Sequence, residues 1–131
     1  MPISKESKSF GMPWEKEYGY SQAVKIGDTI YLSGQVSHDD KGNIVGLRDM
    51  EAQMRQAWAN VEKVLAQYGA TIDNIVDEVV FVTDMEAAFA AAVKIRPEVF
   101  RGRPVVASTL VQIQRLALPE LMVEIKCTAK V

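Results

Sequence analysis

The sequence predicts an α+β fold in a single domain, with a six-stranded mixed sheet that carries two helices on one of its faces. Three observations predict it. Residues 121–131 alternate almost throughout between two sets of side chains, as a strand does when one face packs on a core. Residues 50–68 and 85–100 repeat apolar side chains at three- and four-residue steps, which is typical of amphipathic helices. A length of 131 residues fits one domain, residues 1–131.

The first two strands are predicted at residues 20–26 and 29–37. A turn at Gly27-Asp28 separates them, and both segments are rich in apolar and β-branched side chains. Residues 1–13 precede these strands, are mostly polar and show no periodicity, so they are predicted to form a loose arm.

The first helix is predicted after a polar turn. Residues 38–43 form this turn, in which His38 is expected to be solvated, and residues 44–45 add a short apolar strand. The helix then covers residues 50–68, and Asp49 is a plausible N-cap because its side chain can accept a backbone N–H.

The remaining elements are a strand, a helix and two closing strands. A strand is predicted at residues 75–83, and within it Val79-Val80-Phe81-Val82 is apolar on both faces, which favours an interior strand. The second helix covers residues 85–100, and Pro97 should kink it or end it early. Residues 105–116 and 121–131 are the closing strands. The apolar stripe predicted for the second helix consists of Phe89, Val93 and Phe100.

Composition disfavours several classes of partner. The net charge of −2 gives no basic surface for nucleic acid, and no apolar run approaches the roughly 20 residues that span a membrane. The polar first ten residues lack the apolar core of a signal peptide. The single cysteine, Cys127, cannot form an internal disulfide, which fits a reducing compartment, and a cytoplasmic location is expected.

The face of the sheet away from the helices is predicted to mix polar and apolar side chains. Such a face is typical of contact with another subunit, so a homo-oligomer is expected. Its predicted members are Tyr31, Ser33, Gln35, Ser108, Leu110, Gln112, Met122 and Glu124.

The same face supplies the candidate site. With a single histidine, a His and Cys metal cluster cannot be built, and no phosphate-binding glycine pattern occurs, so neither a metal nor a cofactor is predicted. Ser33, Ser108 and Glu124 share the predicted face, and Tyr20 could join them. Hydroxyls, a carboxylate and a phenol beside a subunit boundary would suit a small-molecule pocket, and the alternative is a plain polar interface.

Three segments of the chain resemble the RidA/YjgF family of reactive-intermediate deaminases. They are residues 19–35, Val80-Phe81-Val82-Thr83-Asp84-Met85, and residues 115–125. The resemblance covers about residues 18–131, and its strength lies in the order and spacing of the segments. It implies a chorismate-mutase-like fold and a homotrimer around a central barrel, with three small-molecule clefts between subunits.

The resemblance also implies an activity and a site. Family deaminases hydrolyse enamines and imines such as 2-aminoacrylate to keto acids and ammonia. Tyr20 and the Ser33-Gly34 segment would line the cleft, and Glu124 would orient or activate the water. Trp14 could cap the cleft or simply hold the arm in place. The alternative for Glu124 is an ion pair with Lys126 or with a cation of a partner chain.

Two positions depart from the family pattern. Ser108 stands where the family has an arginine that grips the substrate carboxylate, and Val93 stands at an expected asparagine. A serine cannot supply the charge, so 2-imino acids should bind weaker by about one to two powers of ten or more. Arg115 and Arg103 are candidate replacements.

Two functions therefore stand. The first is an enamine/imine hydrolase whose substrate is expected to differ from 2-aminoacrylate, and the alternative is a non-catalytic homotrimer that binds a small metabolite or regulates a partner. Ribonuclease activity, sometimes attached to this family, is disfavoured by the acidic charge balance.

Overall fold

One six-stranded sheet organises the chain, whose computed structural model describes residues 2–131. The strands are β1 Glu6–Lys8, β2 Ala23–Ile26, β3 Thr29–Leu32, β4 Ile75–Val82, β5 Ala107–Gln112 and β6 Val123–Lys130. The helices are α1 Pro13–Tyr18, α2 Met50–Ala66 and α3 Met85–Val99, with a 3-10 turn at Ile72–Asn74. The strand order is β1-β2-β3-β6-β4-β5; β4 and β5 are parallel and the other pairs antiparallel. The mixed α+β sheet is confirmed.

Helix α2 matches its prediction closely. It begins after Asp49, whose side chain accepts the backbone N–H of Ala52 at 3.1 Å, as an N-cap does. The helix buries Met54, Trp58 and Val61 against the sheet. This packing leaves the opposite face of the sheet uncovered by either long helix.

Helix α3 turns a different side to the core from the one predicted. Phe89 and Val93 are 61% and 64% exposed, so the predicted stripe is wrong apart from Phe100. The buried side of α3 consists of Ala88, Ala91 and Ile95. Small alanines let the helix approach its neighbours closely, and periodicity weighted by side-chain size misses them. Pro97 lies within the last turn and does not end the helix early.

The N-terminal segment predicted as a loose arm is anchored instead. Within residues 1–13, strand β1 pairs with the edge of β2, and Pro13 begins α1; Met1 lies outside the described residues. Buried Glu15 accepts the backbone N–H groups of Phe10 and Gly11 at 3.0 and 3.2 Å. A strand of three residues is too short for its periodicity to be recognised.

His38, predicted to be solvated, is 6% exposed. Its ring lies edge-on to the rings of Phe10 and Trp14, at centroid distances of 5.9 and 5.1 Å. Its backbone carbonyl accepts the Asn60 side chain from α2. The prediction is wrong because the N-terminal segment folds over this turn.

Strand β6 alternates as predicted. Val123, Ile125, Cys127 and Ala129 are buried beneath the helices, whereas Glu124 and Thr128 lie on the opposite face. Burial raises the pKa of the Cys127 thiol far above its usual range, so this cysteine is a small core residue.

A charged pair is buried between sheet and helix. Glu78 of β4 has no exposed surface, and its carboxylate forms an ion pair with Arg96 of α3. The Arg96 guanidinium also lies over the Phe100 ring, 5.0 Å from its centroid. This pair was not predicted, because Glu78 and Arg96 lie in separate elements and meet only in the folded chain.

Candidate active site

Glu124 is held at the centre of the uncovered face of the sheet. It lies between the fully buried Val123 and Ile125 in β6, and Phe81 of β4 is its cross-strand partner. Its side chain is half-buried. Pairing with β4 on one side and the Gln35–Ile125 bridge on the other fix the backbone, so the position of the carboxylate is set by the sheet.

A β-bulge brings Gly34 against this carboxylate. Tyr31 pairs with Thr128, yet Gln35 pairs with Ile125, so one extra residue is accommodated after β3. A Cβ atom at Gly34 would overlap the Glu124 carboxylate and lie 2.7 Å from its Cγ. Only glycine lets the backbone approach the acid this closely.

The same bulge changes the face of the sheet on which Gln35 lies. An extra residue reverses the alternation, so Gln35 turns to the buried face and is 1% exposed. The prediction that Gln35 shares a face with Glu124 is wrong. Strict alternation over residues 29–37 could not reveal the bulge.

Burial makes the Glu124 carboxyl a weaker acid, a property that general acids and bases share. Desolvation raises the pKa of its carboxyl above the ordinary value of 4.5, and the Lys126 charge acts in the opposite direction. The Lys126 ammonium donates to the Leu32 carbonyl at 2.9 Å, and no ion pair joins it to Glu124 within residues 2–131. The expected alternative of a Glu124–Lys126 pair is therefore not formed within one chain.

Tyr20 lies close enough to Glu124 for their charges to interact. Burial raises the pKa of the Tyr20 phenol, and the nearby charges of Glu15 and Glu124 add to this effect. The hydroxyl accepts a hydrogen bond from Gln22 Nε2 at 3.5 Å. The Trp14 side chain interacts with this phenol and also lies against Gly42 and the His38 ring, so it links Tyr20 to the turn after β3.

A buried amide network that the sequence did not reveal supports these groups. Gln22 Nε2 donates to Glu15 at 2.8 Å, and Gln35 Nε2 donates to Gln22 Oε1 at 2.8 Å and to the Ser33 carbonyl at 3.0 Å. The network fixes the Ser33-Gly34 segment beside Glu124. Three polar residues that meet only in the folded chain leave no local signal in the sequence.

Ser33 and Ser108 have different surroundings. The Ser33 hydroxyl donates to the Ser21 carbonyl at 2.6 Å, at the edge of the cleft. Ser108 pairs in register with Glu78, and ladder partners point to the same side, so Ser108 lies on the helix side of the sheet. The prediction that Ser108, Leu110 and Gln112 share the Glu124 face is wrong. Strand β5 is exposed on both sides at the sheet edge, so its pattern did not define which face is inner.

The candidate replacement arginines do not reach Glu124 in the chain. The Arg115 guanidinium donates to the carbonyls of Leu116 and Ala117 at 3.0 Å each, which closes the turn before β6. Arg103 is exposed in the turn between α3 and β5. The structure thus brings together Glu124, Gly34, Tyr20, Ser33 and Trp14, and places Ser108 elsewhere.

Residues 2–131 hold no group of three or more His, Cys, Asp or Glu side chains placed to bind a metal ion. No helix in this range is long and apolar enough to cross a membrane.

The raised pKa of Glu124 predicts a pH-dependent stability difference. The folded state favours the neutral acid, so its stabilising effect is fully present below pH 4.5 and is lost as the pH rises through the folded pKa. We expect Glu124→Gln to unfold at a higher temperature than the wild type at pH 7 and at the same temperature near pH 4. Thermal unfolding at both pH values checks this, with the exposed Glu120→Gln as control. A less stable Glu124→Gln at pH 7 would mean that a cation pairs with the carboxylate.

Fold and site together define a class of protein: a small α+β domain with a half-buried acid on an open sheet face. The family model described as Endoribonuclease L-PSP matches residues 14–131. The chain belongs to this family, which is also called the RidA/YjgF family.

Individual relatives support the same family assignment. The chain is 35% identical over 101 residues to the RutC family protein YjgH of Escherichia coli, covering 77% of this chain and 76% of that protein. The crystal structure of Rv2704 from Mycobacterium tuberculosis, a member of the YjgF/YER057c/UK114 family, superposes with a TM-score of 0.84 at 30% identity, covering 98% and 100% of the two chains. A 2-iminobutanoate/2-iminopropanoate deaminase of Dermatophagoides farinae is 33% identical over 63 residues, covering 48% of this chain and 49% of that protein.

Proposed function

We propose that this protein is a homotrimeric hydrolase that deaminates small enamines or imines at clefts between subunits. The observation that carries the proposal is the Glu124 carboxyl, which is fixed by the sheet, half-buried and raised in pKa beside Gly34 and Tyr20. A carboxyl with these properties is suited to taking and returning a proton. A relative named as a 2-iminobutanoate deaminase supports the same chemistry. We place the reaction in the cytoplasm.

The proposed cleft takes residues from two chains. Ser108 and Glu124 lie on opposite faces of one sheet and are separated by β4, so one cleft that contains both must draw them from different protomers. The uncovered face also exposes Tyr31, Phe81 and Val111, apolar surface that a partner subunit would bury.

The proposed reaction consumes one water. Glu124 takes a proton from water as the water oxygen bonds to the imine carbon, and the C=N π electron pair moves to nitrogen, which receives that proton from Glu124. Glu124 then takes the proton of the new hydroxyl and returns it to the amino nitrogen, so the C–N bond breaks as the carbonyl group forms and the nitrogen leaves as neutral ammonia. Tyr20 and the Ser33-Gly34 segment would bind and orient the substrate, and Trp14 would close one end of the cleft.

The substrate is proposed to lack a carboxylate at the position that Ser108 lines. A hydroxyl provides no positive charge, and the Arg115 guanidinium is engaged by the carbonyls of its own turn. The direct test is ammonia release from two imines of similar size, 2-iminobutanoate generated in situ and a ketimine without a carboxylate. We expect the ketimine to be the better substrate, and the opposite preference would contradict this assignment.

Ser108→Arg should restore recognition of 2-imino acids. A charge-assisted hydrogen bond contributes about 1.5–3 kcal/mol, so we expect the KM for 2-iminobutanoate to fall by about one to two powers of ten. Ser108→Gln is the matched control, because it adds length without charge. Equal KM values for the two variants would show that position 108 does not contact the carboxylate.

The alternative function is a non-catalytic trimer that binds a small metabolite. Ser108 favours it, since loss of an anchoring charge is expected where turnover of the usual substrates has been lost. A thermal-shift screen of keto acids, amino acids and aromatic acids separates the two functions. Stabilisation by a ligand without ammonia release from any imine would support the alternative.

A further inference from the structure

A cavity lies where the N-terminal segment crosses the turn after β3, and none of its lining residues belongs to the Glu124 site. It has a volume of about 160 Å³ and opens to solvent on one side. A cavity of about 150 Å³ can hold a benzene-sized body. Its lining residues are Phe10, Met12, His38, Asp40, Asn60 and Lys63.

The lining of this cavity combines apolar side chains with the His38 imidazole and the Asn60 amide. The Phe10 ring and the Met12 thioether supply the apolar surface, and the His38 ring is 6% exposed. His38 Nδ1 donates to the Asp39 carbonyl at 2.9 Å, which fixes the ring orientation. The Asn60 side-chain amide donates to the backbone carbonyls of Val36 and His38, so it stabilises the turn after β3.

The mouth of the cavity carries one charge of each sign. Lys63 Nζ donates to Asp40 Oδ1 at 2.7 Å, and both side chains are largely exposed, at 47% and 88%. An exposed ion pair contributes little to the free energy of folding, so the Lys63–Asp40 pair can separate with little loss of stability. A ligand with a single charge would pair with one of these side chains and would be repelled by the other, which carries the same charge as the ligand. A zwitterion can pair with both.

We propose that this cavity binds a small zwitterion with an apolar body, the chemistry of an aliphatic α-amino acid. The ligand carboxylate would accept from Lys63, its ammonium would donate to Asp40, and its side chain would pack on Phe10 and Met12. The site is independent of the Glu124 cleft and of the proposed hydrolysis.

The single histidine of the chain makes the test specific. His38 gives the only imidazole resonances in a ¹³C-edited NMR spectrum, and its ring lines the cavity. Three probes share a branched apolar body: L-valine carries both charges, 3-methylbutanoate only the negative one, and 2-methylpropylamine only the positive one. We expect L-valine to shift the His38 resonances saturably at millimolar concentration and the other two to bind at least about tenfold more weakly.

Two lysine-to-methionine variants complete the test. Lys63→Met should weaken L-valine binding about tenfold, whereas Lys41→Met, a change of another exposed lysine outside the cavity lining, should leave it unchanged. The absence of a His38 shift with L-valine would overturn the proposal. Equal affinity for 3-methylbutanoate, or an unaltered response of Lys63→Met, would overturn it as well.

Discussion

Replacing Glu124 by glutamine is expected to lower ammonia release by about 100- to 10,000-fold, the range in which a positioned acid or base contributes to a reaction. Glutamine preserves the size and polarity of the side chain but neither accepts nor returns a proton. The measurement is the initial rate of ammonia release from an in situ generated imine, with the spontaneous hydrolysis rate subtracted.

The matched control for this change is Glu120→Gln. Glu120 lies in the exposed turn just before β6, so its substitution removes the same charge without touching the cleft. We expect its rate to equal that of the wild type. Equal rates for wild type and Glu124→Gln would remove the hydrolase proposal for that substrate, while leaving the zwitterion cavity untouched.

Replacing Arg96 by methionine is expected to lower the free energy of unfolding by about 3–5 kcal/mol. The change leaves the Glu78 carboxylate without its cation in a position that has no exposed surface. A buried charge without a partner is far more costly than the pair was favourable. Urea unfolding of the purified protein, followed by the fluorescence of the buried Trp58, measures the difference.

Two further variants separate this effect from loss of packing. Lys94→Met, a change on the same helix as Arg96, removes an exposed ion pair with Glu51 of α2, in which Nζ lies 3.1 Å from Oε1, and should change stability little. The double variant Glu78→Leu with Arg96→Met removes both charges and should be much closer to the wild type than Arg96→Met alone. A double variant as unstable as the single one would show that packing around Arg96, and not the unpaired carboxylate, determines the loss.

The elements that sequence predicted well are those whose pattern is long and one-sided. Helix α2 spans seventeen residues with a buried stripe and a capping aspartate, so periodicity and end signals agree. Strand β6 alternates over its eight residues because one face is covered and the other is not. Both patterns arise from burial that is local to the element and therefore visible in the sequence.

The failures have a common physical origin. Three features were predicted wrongly because they depend on which segments are neighbours in space. They are the side of β5 that faces the helices, the bulge before Gln35 and the burial of His38. None of these neighbours is close in sequence. The chain's pattern placed Glu124 on the open face and could not place Ser108, whose strand is an exposed edge.

The consequence for the site is a change in how it is assembled. Gly34 lies against Glu124 within one chain, whereas Ser108 lies on the opposite face of the sheet, so the proposed cleft needs Ser108 from a second chain. Assembly between protomers is therefore the claim on which the proposed function rests.

Light scattering coupled to size-exclusion chromatography tests this claim most directly, because it measures solution mass without reference to shape. At micromolar concentration and neutral pH, we expect a single species with the mass of three chains of 14.5 kDa each. A single species with the mass of one chain would contradict the shared cleft.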